Sequence, residues 1–336
     1  MKTKIAFVTT MLVAAAALAH SATMKAIVAH EYGGPEVLKY EDVPRPEPKD
    51  DEILVRVIAA GVNPVDTMIR SGKYAKFFGT TLPLIPGYDI AGVVERGGAK
   101  SDKFKKGDAV FAYLNLQKGG GYAEYALVTQ KEAAPKPKSA SFVEAAAVPV
   151  VALTAWQALV DTAKLGSGQT VLIHGGSGGV GSFAIQFAKL RGAKVFATAS
   201  TRNQDFLKQL GADVAIDYTK QKFEDIAKDV DVVLESVGAD TLTRSYGVVR
   251  KGGILVSLLG PPDQTELAKH GIRGAAIGVE PDSAELAEIG KLIDEKKIKV
   301  FVSQTFPLID AATAQEQAET GHTRGKIVLK VAEEPK

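Results

Sequence analysis

The sequence predicts an α/β protein that combines a small β-barrel with a doubly wound parallel sheet. Its first half contains frequent short strand-like runs separated by glycine turns, a pattern typical of small barrels. From about residue 141 onward, apolar strand-like runs alternate with helical patterns, as in a parallel sheet covered by helices on both faces. With 336 residues, of which 46% are hydrophobic and 24% charged, the chain is long enough for two globular domains.

The first 22 residues differ from the rest of the chain and predict a secretory signal peptide. Lys2 and Lys4 form a basic start, an apolar run extends from Ile5 to Ala19, and small residues follow it. The run is short for a membrane span, and it contains no twin-arginine pair. We therefore expect export to the periplasm or outside the cell. The alternative is a cytoplasmic protein that starts at Met24.

The composition excludes several classes of partner. Removal of residues 1–22 removes two lysines and no acidic residue, which leaves 39 basic and 39 acidic residues. A formally neutral chain argues against binding to nucleic acid or to an anionic membrane, and we expect no membrane insertion of the mature chain. The sequence contains no cysteine, so disulfides and cysteine-based zinc sites are excluded.

Six short runs predict the strands of the barrel, which we place in a first domain of residues 23–146. Most are rich in β-branched or aromatic residues, and glycine turns separate them. An extended connector at Pro44–Pro48 follows the second run. The runs are Met24–Val28, Glu36–Tyr40, Glu52–Ala59, Asp89–Glu95, Ala109–Ala112 and Tyr122–Val128.

The second domain is predicted for residues 147–280. A capping-box pattern at Ser141 and Glu144 opens the preceding helix. The predicted strands are Val171–Ile173, Val195–Ala199, Val214–Ile216, Val230–Leu234, Gly253–Ser257 and Ala275–Val279. The predicted helices follow Gly181 or cover Gln204–Leu210, Asp240–Val249 and Ala284–Glu295. Two last strands, Phe301–Pro307 and Gly325–Val331, are expected to return residues 281–334 to the first domain.

A glycine-rich turn between the strand Val171–Ile173 and the following helix predicts a dinucleotide site. The motif is Gly176-x-Gly178-x-x-Gly181, and its context of strand, turn and helix makes it specific. In such a turn the first glycine permits the tight bend, the second lets a pyrophosphate approach the backbone, and the third lets helix and strand pack closely. The phosphates would lie at the helix N-terminus. The predicted contacts are Gly176, Ser177, Gly178, Gly179, Val180 and Gly181.

The residues after the next strand favour NADP(H) over NAD(H). An NAD-binding chain places Asp or Glu on the ribose about 20 residues beyond the first glycine. This chain has no acid there and instead contains Ser200, Arg202 and Asn203. Arginine binds a phosphate through charge-assisted, bidentate hydrogen bonds. The cofactor predicted is therefore NADP(H), with these three residues among its contacts, although a solvated Arg202 at a helix start is the alternative.

Several separate motifs in order resemble the medium-chain dehydrogenase/reductase superfamily, in its zinc-free quinone oxidoreductase (zeta-crystallin-like) branch. The similarity extends from about Met24 to Val331. Besides the glycine motif, the segments that carry it are Gly61–Asp66, Pro86–Gly92, Gly107–Val110, Ala145–Pro149, Leu153–Trp156 and Gly321–Lys326. The resemblance implies a GroES-like catalytic domain, a Rossmann domain, an active site in the cleft between them, and a homodimer.

The resemblance also has departures that define the expected chemistry. Zinc alcohol dehydrogenases of this superfamily have a metal-binding histidine where this chain has Tyr88, and they use cysteine ligands. Without these histidine and cysteine ligands, no metal is expected. The resemblance implies hydride transfer from NADPH to a quinone or an α,β-unsaturated carbonyl, whose oxygen is then protonated from a side chain or water.

Candidate catalytic residues follow from position in the resembling motifs. Asn63 matches an asparagine near the nicotinamide and could donate a hydrogen bond to the acceptor oxygen, or it is a turn residue before Pro64. Asp66 either orients a neighbour or caps a helix. Met68 stands where some relatives have tyrosine, which leaves Tyr74 as the candidate for a hydroxyl on the acceptor side.

Further cofactor contacts are implied in the same way. Thr154 would face the nicotinamide, Tyr218 would lie near the 2′-phosphate and Arg324 would reach the cofactor. For the last two, a strand-end aromatic and a surface loop residue are the alternatives. The ends of the fourth and fifth strands of the parallel sheet add Val237, Gly238, Leu258, Leu259 and Gly260. His174, just before the glycines, is expected to serve in packing.

Three functions remain open at this point. The first is an NADPH-dependent reductase of quinones or enones. The second is a reductase of another activated alkene, such as an enoyl thioester. The third is an exported, non-enzymatic binding protein that retains the fold, since little NADP(H) is expected outside the cytoplasm.

Overall fold

The structure, a computed structural model, describes residues 22–335. The predicted signal peptide thus lies outside the described residues except for Ala22. The first seven strands are β1 (Thr23–Ala29), β2 (Leu38–Pro44), β3 (Glu52–Val62), β4 (Asp89–Gly97), β5 (Ala109–Tyr113), β6 (Tyr125–Thr129) and β7 (Ala133–Pro135). The first two form an antiparallel pair, and β3, β4, β5 and β7 follow one another in a larger sheet.

Two predicted barrel strands begin later in the structure. Glu36 lies in a 3-10 turn, Pro35–Val37, and the second strand begins after it. Tyr122 was predicted to begin a strand, but the regular pairing of β6 with β3 begins at Tyr125. Tyr122 and Glu124 bond to β1, since the N–H of Ile27 donates to the carbonyl of Tyr122 and the N–H of Glu124 to the carbonyl of Lys25.

The second half contains a six-stranded parallel sheet in the order β10-β9-β8-β11-β12-β13. Its strands are β8 (Thr170–Ile173), β9 (Lys194–Ala199), β10 (Val214–Asp217), β11 (Val230–Glu235), β12 (Val249–Ser257) and β13 (Arg273–Ala276). The order reverses between β8 and β11, and a ligand of such a sheet binds outside the carboxyl ends of the strands at this point. The predicted Rossmann-type sheet is confirmed.

Eleven α-helices occur in the described residues. They are α1 (Pro64–Arg70), α2 (Ala75–Phe78), α3 (Phe142–Ala146), α4 (Pro149–Trp156), α5 (Gly179–Leu190), α6 (Gln204–Leu210), α7 (Phe223–Ile226), α8 (Ala239–Ser245), α9 (Gln264–His270), α10 (Ser283–Asp294) and α11 (Ala311–Glu319). A π-helical turn at Gln157–Thr162 continues α4. No helix within residues 22–335 is long and apolar enough to cross a membrane.

Local sequence explains the helices that enclose the cleft. Ser141 and Glu144 form the predicted capping box, in which the N–H of Glu144 donates to Ser141 Oγ over 3.1 Å. Pro149 occupies the first position of α4, where the missing N–H of proline costs no helical hydrogen bond. The helix after the glycine motif begins at Gly179 rather than after Gly181 as predicted, so Gly181 lies in its first turn.

The last strands return the chain to the barrel sheet. β14 (Val302–Pro307) pairs with β15 (Lys326–Lys330), and β15 pairs with β3 in antiparallel register. One apolar core runs through both halves of the molecule and includes Ile58 of the barrel and Ile173 of the parallel sheet. The cleft between barrel and parallel sheet is therefore formed by elements packed on a shared core.

Candidate active site in the cleft between the two sheets

The glycine turn is held against the barrel by the segment that precedes β15. The N–H of Gly325 donates to the carbonyl of Ser177 over 2.8 Å, and Gly178 and Gly325 form an isolated parallel bridge. Only glycine fits at position 325. Its φ is +71°, and a Cβ would lie 2.2 Å from the carbonyl of Phe301. The glycine turn and the return to the barrel are thus adjacent.

Two of the motif glycines have the surroundings expected of a cofactor turn. A Cβ on Gly181 would lie 2.3 Å from the carbonyl of Gly175, so helix and turn pack too closely for any side chain. A Cβ on Gly178 would meet the same carbonyl at 3.4 Å, an ordinary contact. Position 178 could therefore carry a methyl group, and the backbone N–H groups beside it at the start of α5 have no helical partner.

The prediction for Gly176 needs correction. The positive φ of the tight bend, +64°, belongs to Gly175 and not to Gly176. Gly176 is a packing glycine instead, because a Cβ would lie 2.8 Å from Leu207 and 3.1 Å from the Cβ of Ala197. It lets α6 and β9 approach the turn.

Beyond the turn, a cavity of about 580 Å³ has a basic lining. Arg202 and Arg324 both line it, and Arg202 Nη2 donates to the carbonyl of His322 over 3.0 Å. Arg324 lies over the ring of Phe206 at 4.0 Å. Asn203, also in the lining, donates through Nδ2 to Ser177 Oγ over 3.1 Å and so connects the cavity with the glycine turn. Two guanidinium groups and an amide beside a phosphate-binding turn fit a phosphorylated ribose.

Other predicted contacts lie at the ends of β9 and β10. Ser200 follows β9, half-buried, and its Oγ lies 3.4 Å from Nδ2 of Asn203. Tyr218 follows β10 and is 54% exposed, which is high for a tyrosine and leaves its ring free to contact a ligand. The carboxylate of Asp217 accepts hydrogen bonds from Thr201 and Thr219, so it is occupied by protein donors.

Buried side chains fix the turns at the ends of β11 and β12. The carboxylate of Glu235, which has no exposed surface, accepts the N–H groups of Val237 and Gly238 at 2.9 Å each. Ser257 Oγ accepts the N–H of Leu259. Val237 and Leu259 are each about half exposed at this edge. Their apolar surface, with the half-buried residues Leu258 and Gly260, suits the wall of a cofactor crevice.

On the barrel side, Asn63 belongs to a buried polar cluster, the Asn63 cluster, which consists of Asn63, Asp66, Asp89, Tyr122 and Lys326. Asn63 Nδ2 donates to Asp89 Oδ2 over 2.8 Å, and Asn63 Oδ1 accepts from Lys326 Nζ over 2.6 Å. Asn63 is also the N-cap of α1. The turn role considered for this residue is therefore present, and one Nδ2 hydrogen remains for a further acceptor.

Asp66 caps the helix and is completely buried. Its Oδ2 accepts the N–H of Asn63 over 2.6 Å and the hydroxyl of Tyr122 over 3.0 Å. Burial raises the pKa of Asp66 to about 7, against the opposing effects of these hydrogen bonds and of the Lys326 charge. Its contacts fit a group that holds the Asn63 backbone, which combines the orienting and capping roles considered for it.

The charges of the cluster come from Lys326 and two aspartates. Lys326 Nζ lies 3.4 Å from Asp89 Oδ2 and donates to the carbonyl of Val62 over 2.6 Å. Burial lowers the pKa of Lys326 and raises that of Asp89, while the attraction between the two charges opposes both shifts. The other oxygen of Asp89 accepts the N–H of Val150 in the first turn of α4 over 2.7 Å.

The cluster meets the cofactor turn through α4. Thr154, one turn after Val150, donates its hydroxyl to the carbonyl of Val150 over 2.6 Å and keeps its lone pairs as acceptors. A Cβ on Gly179 would lie 2.9 Å from Val151 and 3.1 Å from Cδ of Lys326. Thr154, the turn and the Asn63 cluster therefore lie close together.

The structure keeps two other residues out of this cluster. Tyr74 is the N-cap of α2, and its ring contacts those of Phe77 and Phe78 at 6.5 and 6.3 Å between centroids, so it belongs to an aromatic group beyond α1. His174 is buried between the hydroxyls of Thr198 and Ser245, and burial lowers its pKa to about 3. This imidazole is neutral and serves packing.

Sequence reasoning assigned no role to Asp89, Tyr122, Lys326 or Glu235. Asp89 and Lys326 lie in motifs that carried the resemblance, and this position was the only sequence feature that could have marked them as site residues. Burial indicates their role, since a charged pair with almost no exposed surface needs partners.

Tyr88, which stands where zinc-dependent relatives have a histidine, is fully buried, and burial raises the pKa of its hydroxyl. Within residues 22–335, no group of three or more His, Cys, Asp or Glu residues is arranged to hold a metal ion.

Comparison with known proteins agrees with this architecture. Residues 49–138 match the alcohol dehydrogenase GroES-like domain family, and residues 210–329 match the zinc-binding dehydrogenase family. The chain is 39% identical over 320 residues to the chloroplastic NADPH-dependent alkenal/one oxidoreductase of Arabidopsis thaliana, a match that covers 91% of this chain and 79% of that protein. It is 36% identical over 326 residues to the quinone oxidoreductase of Mus musculus, with coverage of 91% and 97%.

A solved structure shows the same fold. The Escherichia coli quinone oxidoreductase complexed with NADPH superposes with a TM-score of 0.84 at 31% sequence identity. The superposition covers 91% of this chain and 100% of that one. The similarity therefore includes the barrel, the parallel sheet and the cleft between them.

Proposed function

Since the chain belongs to the zinc-free quinone oxidoreductase branch of the medium-chain dehydrogenase/reductase superfamily, we propose that it is an NADPH-dependent reductase of quinones or α,β-unsaturated carbonyls. One observation carries the proposal. The segment Gly325–Lys326 contacts the glycine turn through its first residue and Asn63 through its second. The glycine turn and a polarised amide are therefore connected through two consecutive residues of the chain.

The residues present fit NADP(H). The start of α5 presents free N–H groups beside Gly178, where there is room for a pyrophosphate. Arg202, Asn203 and Arg324 would hold the 2′-phosphate in the adjoining cavity. Thr154 can accept a hydrogen bond from a carboxamide. When bound, NADPH supplies a hydride for an electron-poor carbon.

The chain itself contributes positioning and electrostatics. The free Nδ2 hydrogen of Asn63 can donate to the acceptor oxygen, which gains negative charge during the reaction. A donor fixed in advance needs no reorganisation when that charge develops. Tyr74 stays a candidate for a hydroxyl on the acceptor side, outside the Asn63 cluster. The proton that completes the reduction would come from such a side chain or from water.

The first experiment is a titration of the purified protein with NADPH and, separately, with NADH. Trp156, the single tryptophan, lies in α4 beside the cleft and can report binding through energy transfer to the nicotinamide. Tight binding of NADPH, weaker binding of NADH and oxidation of NADPH by a quinone or an enone support the proposal. Equal affinities would overturn the 2′-phosphate assignment and leave a reductase. Binding of neither would favour the non-enzymatic alternative.

The same assay can identify which chemical class of acceptor the protein reduces. A quinone, a short alkenal and an enoyl thioester differ in the size and charge of the group that the cleft must admit. The relative from Arabidopsis thaliana is named for alkenals and enones, and the relative from Mus musculus for quinones. We propose these two classes first. Faster turnover of the thioester would overturn that order.

We further propose a homodimer, built through the edge of the parallel sheet. Within residues 22–335, β13 pairs with β12 on one side and with no strand on the other. Its first and last residues, Arg273 and Ala276, are exposed. An unpaired edge of this kind is a template for pairing with a second copy. Sedimentation equilibrium tests this, and a monomer at micromolar concentration would contradict it.

Export remains a proposal that depends on residues 1–22. The layout of those residues supports cleavage near Ala19–Ala22, and β1 begins directly afterwards at Thr23. A cytoplasmic protein beginning at Met24 is the alternative. Mass spectrometry of the N-terminus in cell fractions separates the two. A cleaved N-terminus in the periplasmic fraction supports export, whereas an N-terminus at Met24 in the cytosol overturns it.

A further inference from the structure

We propose that Lys326 is a positioning residue for the reduction, because its buried ammonium orients the amide of Asn63 and connects that orientation to the cofactor turn. The proposal rests on the proposed function for its kinetic consequence. Lys326 does not itself face the acceptor, since its ammonium is buried and directed at three protein partners, two through hydrogen bonds and one through an ion pair at 3.4 Å. These partners are the carbonyl of Val62, Oδ1 of Asn63 and the carboxylate of Asp89.

The chemistry of these partners permits one orientation of the Asn63 amide. An ammonium has only donors, so the atom of Asn63 that faces Lys326 at 2.6 Å must be the oxygen. A carboxylate has only acceptors when ionised, so the atom that faces Asp89 at 2.8 Å must be the nitrogen. A rotated amide would place NH₂ against the ammonium and oxygen against the carboxylate. Lys326 and Asp89 therefore exclude the flipped amide together.

This arrangement also fixes the remaining hydrogen of Asn63. The amide group is planar, so once Oδ1 and one Nδ2 hydrogen have partners, the direction of the second Nδ2 hydrogen is determined. That hydrogen is the one assigned above to the acceptor oxygen. A donor held within a narrow range of angles is worth more in catalysis than a freely rotating one.

The position of Lys326 depends in turn on the glycine turn. Its neighbour Gly325 donates to the carbonyl of Ser177, and the Lys326 side chain packs against the turn close to Gly179. On its other side the segment is held by Phe301, whose carbonyl accepts the N–H of Lys326 over 2.9 Å. A displacement of the turn is therefore transmitted to the ammonium and to Asn63.

A simple structural role would be expected to use different residues. Two buried carboxylates and one buried ammonium are costly to desolvate, and apolar residues of similar volume often stabilise a protein as well or better. The cluster also contains an unpartnered Asp66 Oδ1. What this arrangement supplies, and apolar packing could not, is a defined orientation of one amide.

The test compares two variants of the full-length protein. Lys326→Met alone would leave Asp89 buried without a counter-charge and could fail to fold. We therefore combine Lys326→Met with Asp89→Asn, which removes both charges. The matched control is Lys330→Met, which removes an exposed lysine of the same strand that pairs with Glu333. NADPH binding, thermal unfolding, kcat and KM are measured for each.

The double variant is expected to fold and to bind NADPH within about twofold of the parent, while kcat falls at least about tenfold and KM changes little. If Lys326 acts through Asn63, the two effects are not additive. Addition of Asn63→Ala to the double variant should then lower kcat no further than Asn63→Ala alone. A kcat within about threefold of the parent, or losses that multiply, would overturn the proposal.

A measurement independent of turnover separates this proposal from the proposed function. The side-chain amide of Asn63 is followed by ¹⁵N–¹H NMR of the deuterated protein. We expect two resolved hydrogens that exchange slowly in the parent and in Lys330→Met, and fast exchange or averaging in the double variant. Equal exchange in all three would overturn the positioning role even if the protein reduced none of the acceptors tested.

Discussion

Arg202 Nη2 donates a 3.0 Å hydrogen bond to the carbonyl oxygen of His322, which joins the residues after β9 to the loop before β15. This bond uses one donor of a guanidinium that has five, so the others are free to face the cavity. Arg324 borders the same cavity and is held by the ring of Phe206. The two arginines thus approach the cavity from different parts of the chain, and each is held by a protein contact.

Replacement of Arg202 should reduce the preference for NADPH over NADH. We expect Arg202→Met to weaken NADPH binding by about 10- to 100-fold and NADH binding by less than about threefold, because a charge-assisted bond to phosphate contributes about 1.5–3 kcal/mol. The Trp156 titration measures both affinities. Arg96→Ala, an exposed residue of the barrel paired with Glu47, is the control and should change neither. Equal losses for both cofactors would contradict a 2′-phosphate role.

The glycines of the turn should separate folding from cofactor binding. Gly181→Ala places a methyl group 2.3 Å from the carbonyl of Gly175, so we expect a loss of stability of about 2–4 kcal/mol without any ligand. Gly178→Ala meets that carbonyl at 3.4 Å and should fold normally. Its methyl group would instead obstruct the pyrophosphate and weaken NADPH binding at least about tenfold.

Thermal unfolding and NADPH titration of the two variants decide between these expectations. Gly168→Ala is a poor control because Gly168 has a φ of +78°, whereas Gly278 has open space and no positive φ. Gly278→Ala should leave both properties unchanged. If Gly178→Ala bound NADPH as tightly as the parent protein, the phosphates would have to lie elsewhere.

The turn also shows how far local sequence reaches. The strand β8, the glycines and the helix α5 follow from a periodic pattern and a motif, and the predicted helix α6 has the limits found in the structure. The roles of individual glycines are harder to predict from the sequence. Gly175 forms the bend, and the packing of Gly176 depends on Leu207, which is distant in sequence. The sequence pattern identifies a strand or a helix, and tertiary contacts determine which glycine forms the bend and which one allows close packing.

The Asn63 cluster was less predictable for the same reason. Asn63 and Lys326 are 263 positions apart, and no local pattern indicates that their side chains meet at 2.6 Å. Helices such as α1 and α11 were missed since they are short or alanine-rich and weakly amphipathic, so that their packing rather than their periodicity stabilises them.

Asp66 should make stability depend on pH in an unusual direction. Burial raises its pKa to about 7, whereas an aspartate in the unfolded chain titrates near 3.9. Between these values the folded protein binds more protons than the unfolded chain, so the free energy of unfolding contributed by this group falls as pH rises and is constant above about pH 7. The side-chain amide in Asp66→Asn cannot ionise, so this variant does not lose stability in this way as pH rises.

The comparison is made by urea unfolding at about pH 5 and about pH 8. We expect the stability of Asp66→Asn relative to the parent protein to increase by about 3 kcal/mol between the two values, because the amide oxygen of the variant can still accept from Asn63 and Tyr122. Asp102→Asn, at an exposed position, should show no such change. A constant difference across this range would show that Asp66 is ionised throughout.

Glu235 should support the cofactor crevice through the turn that follows β11. Its buried carboxylate accepts the N–H groups of Val237 and Gly238, and both would lose their partner in Glu235→Ala. One buried and one partly buried donor without partners cost about 2–4 kcal/mol, so we expect lower thermal stability and NADPH binding weakened by about tenfold. Glu235→Gln keeps Oε1 and should retain most of both properties, while Glu288→Ala on the surface of α10 should match the parent. If Glu235→Ala lost stability but bound NADPH with the parental affinity once folded, the turn at Val237–Gly238 would not border the cofactor.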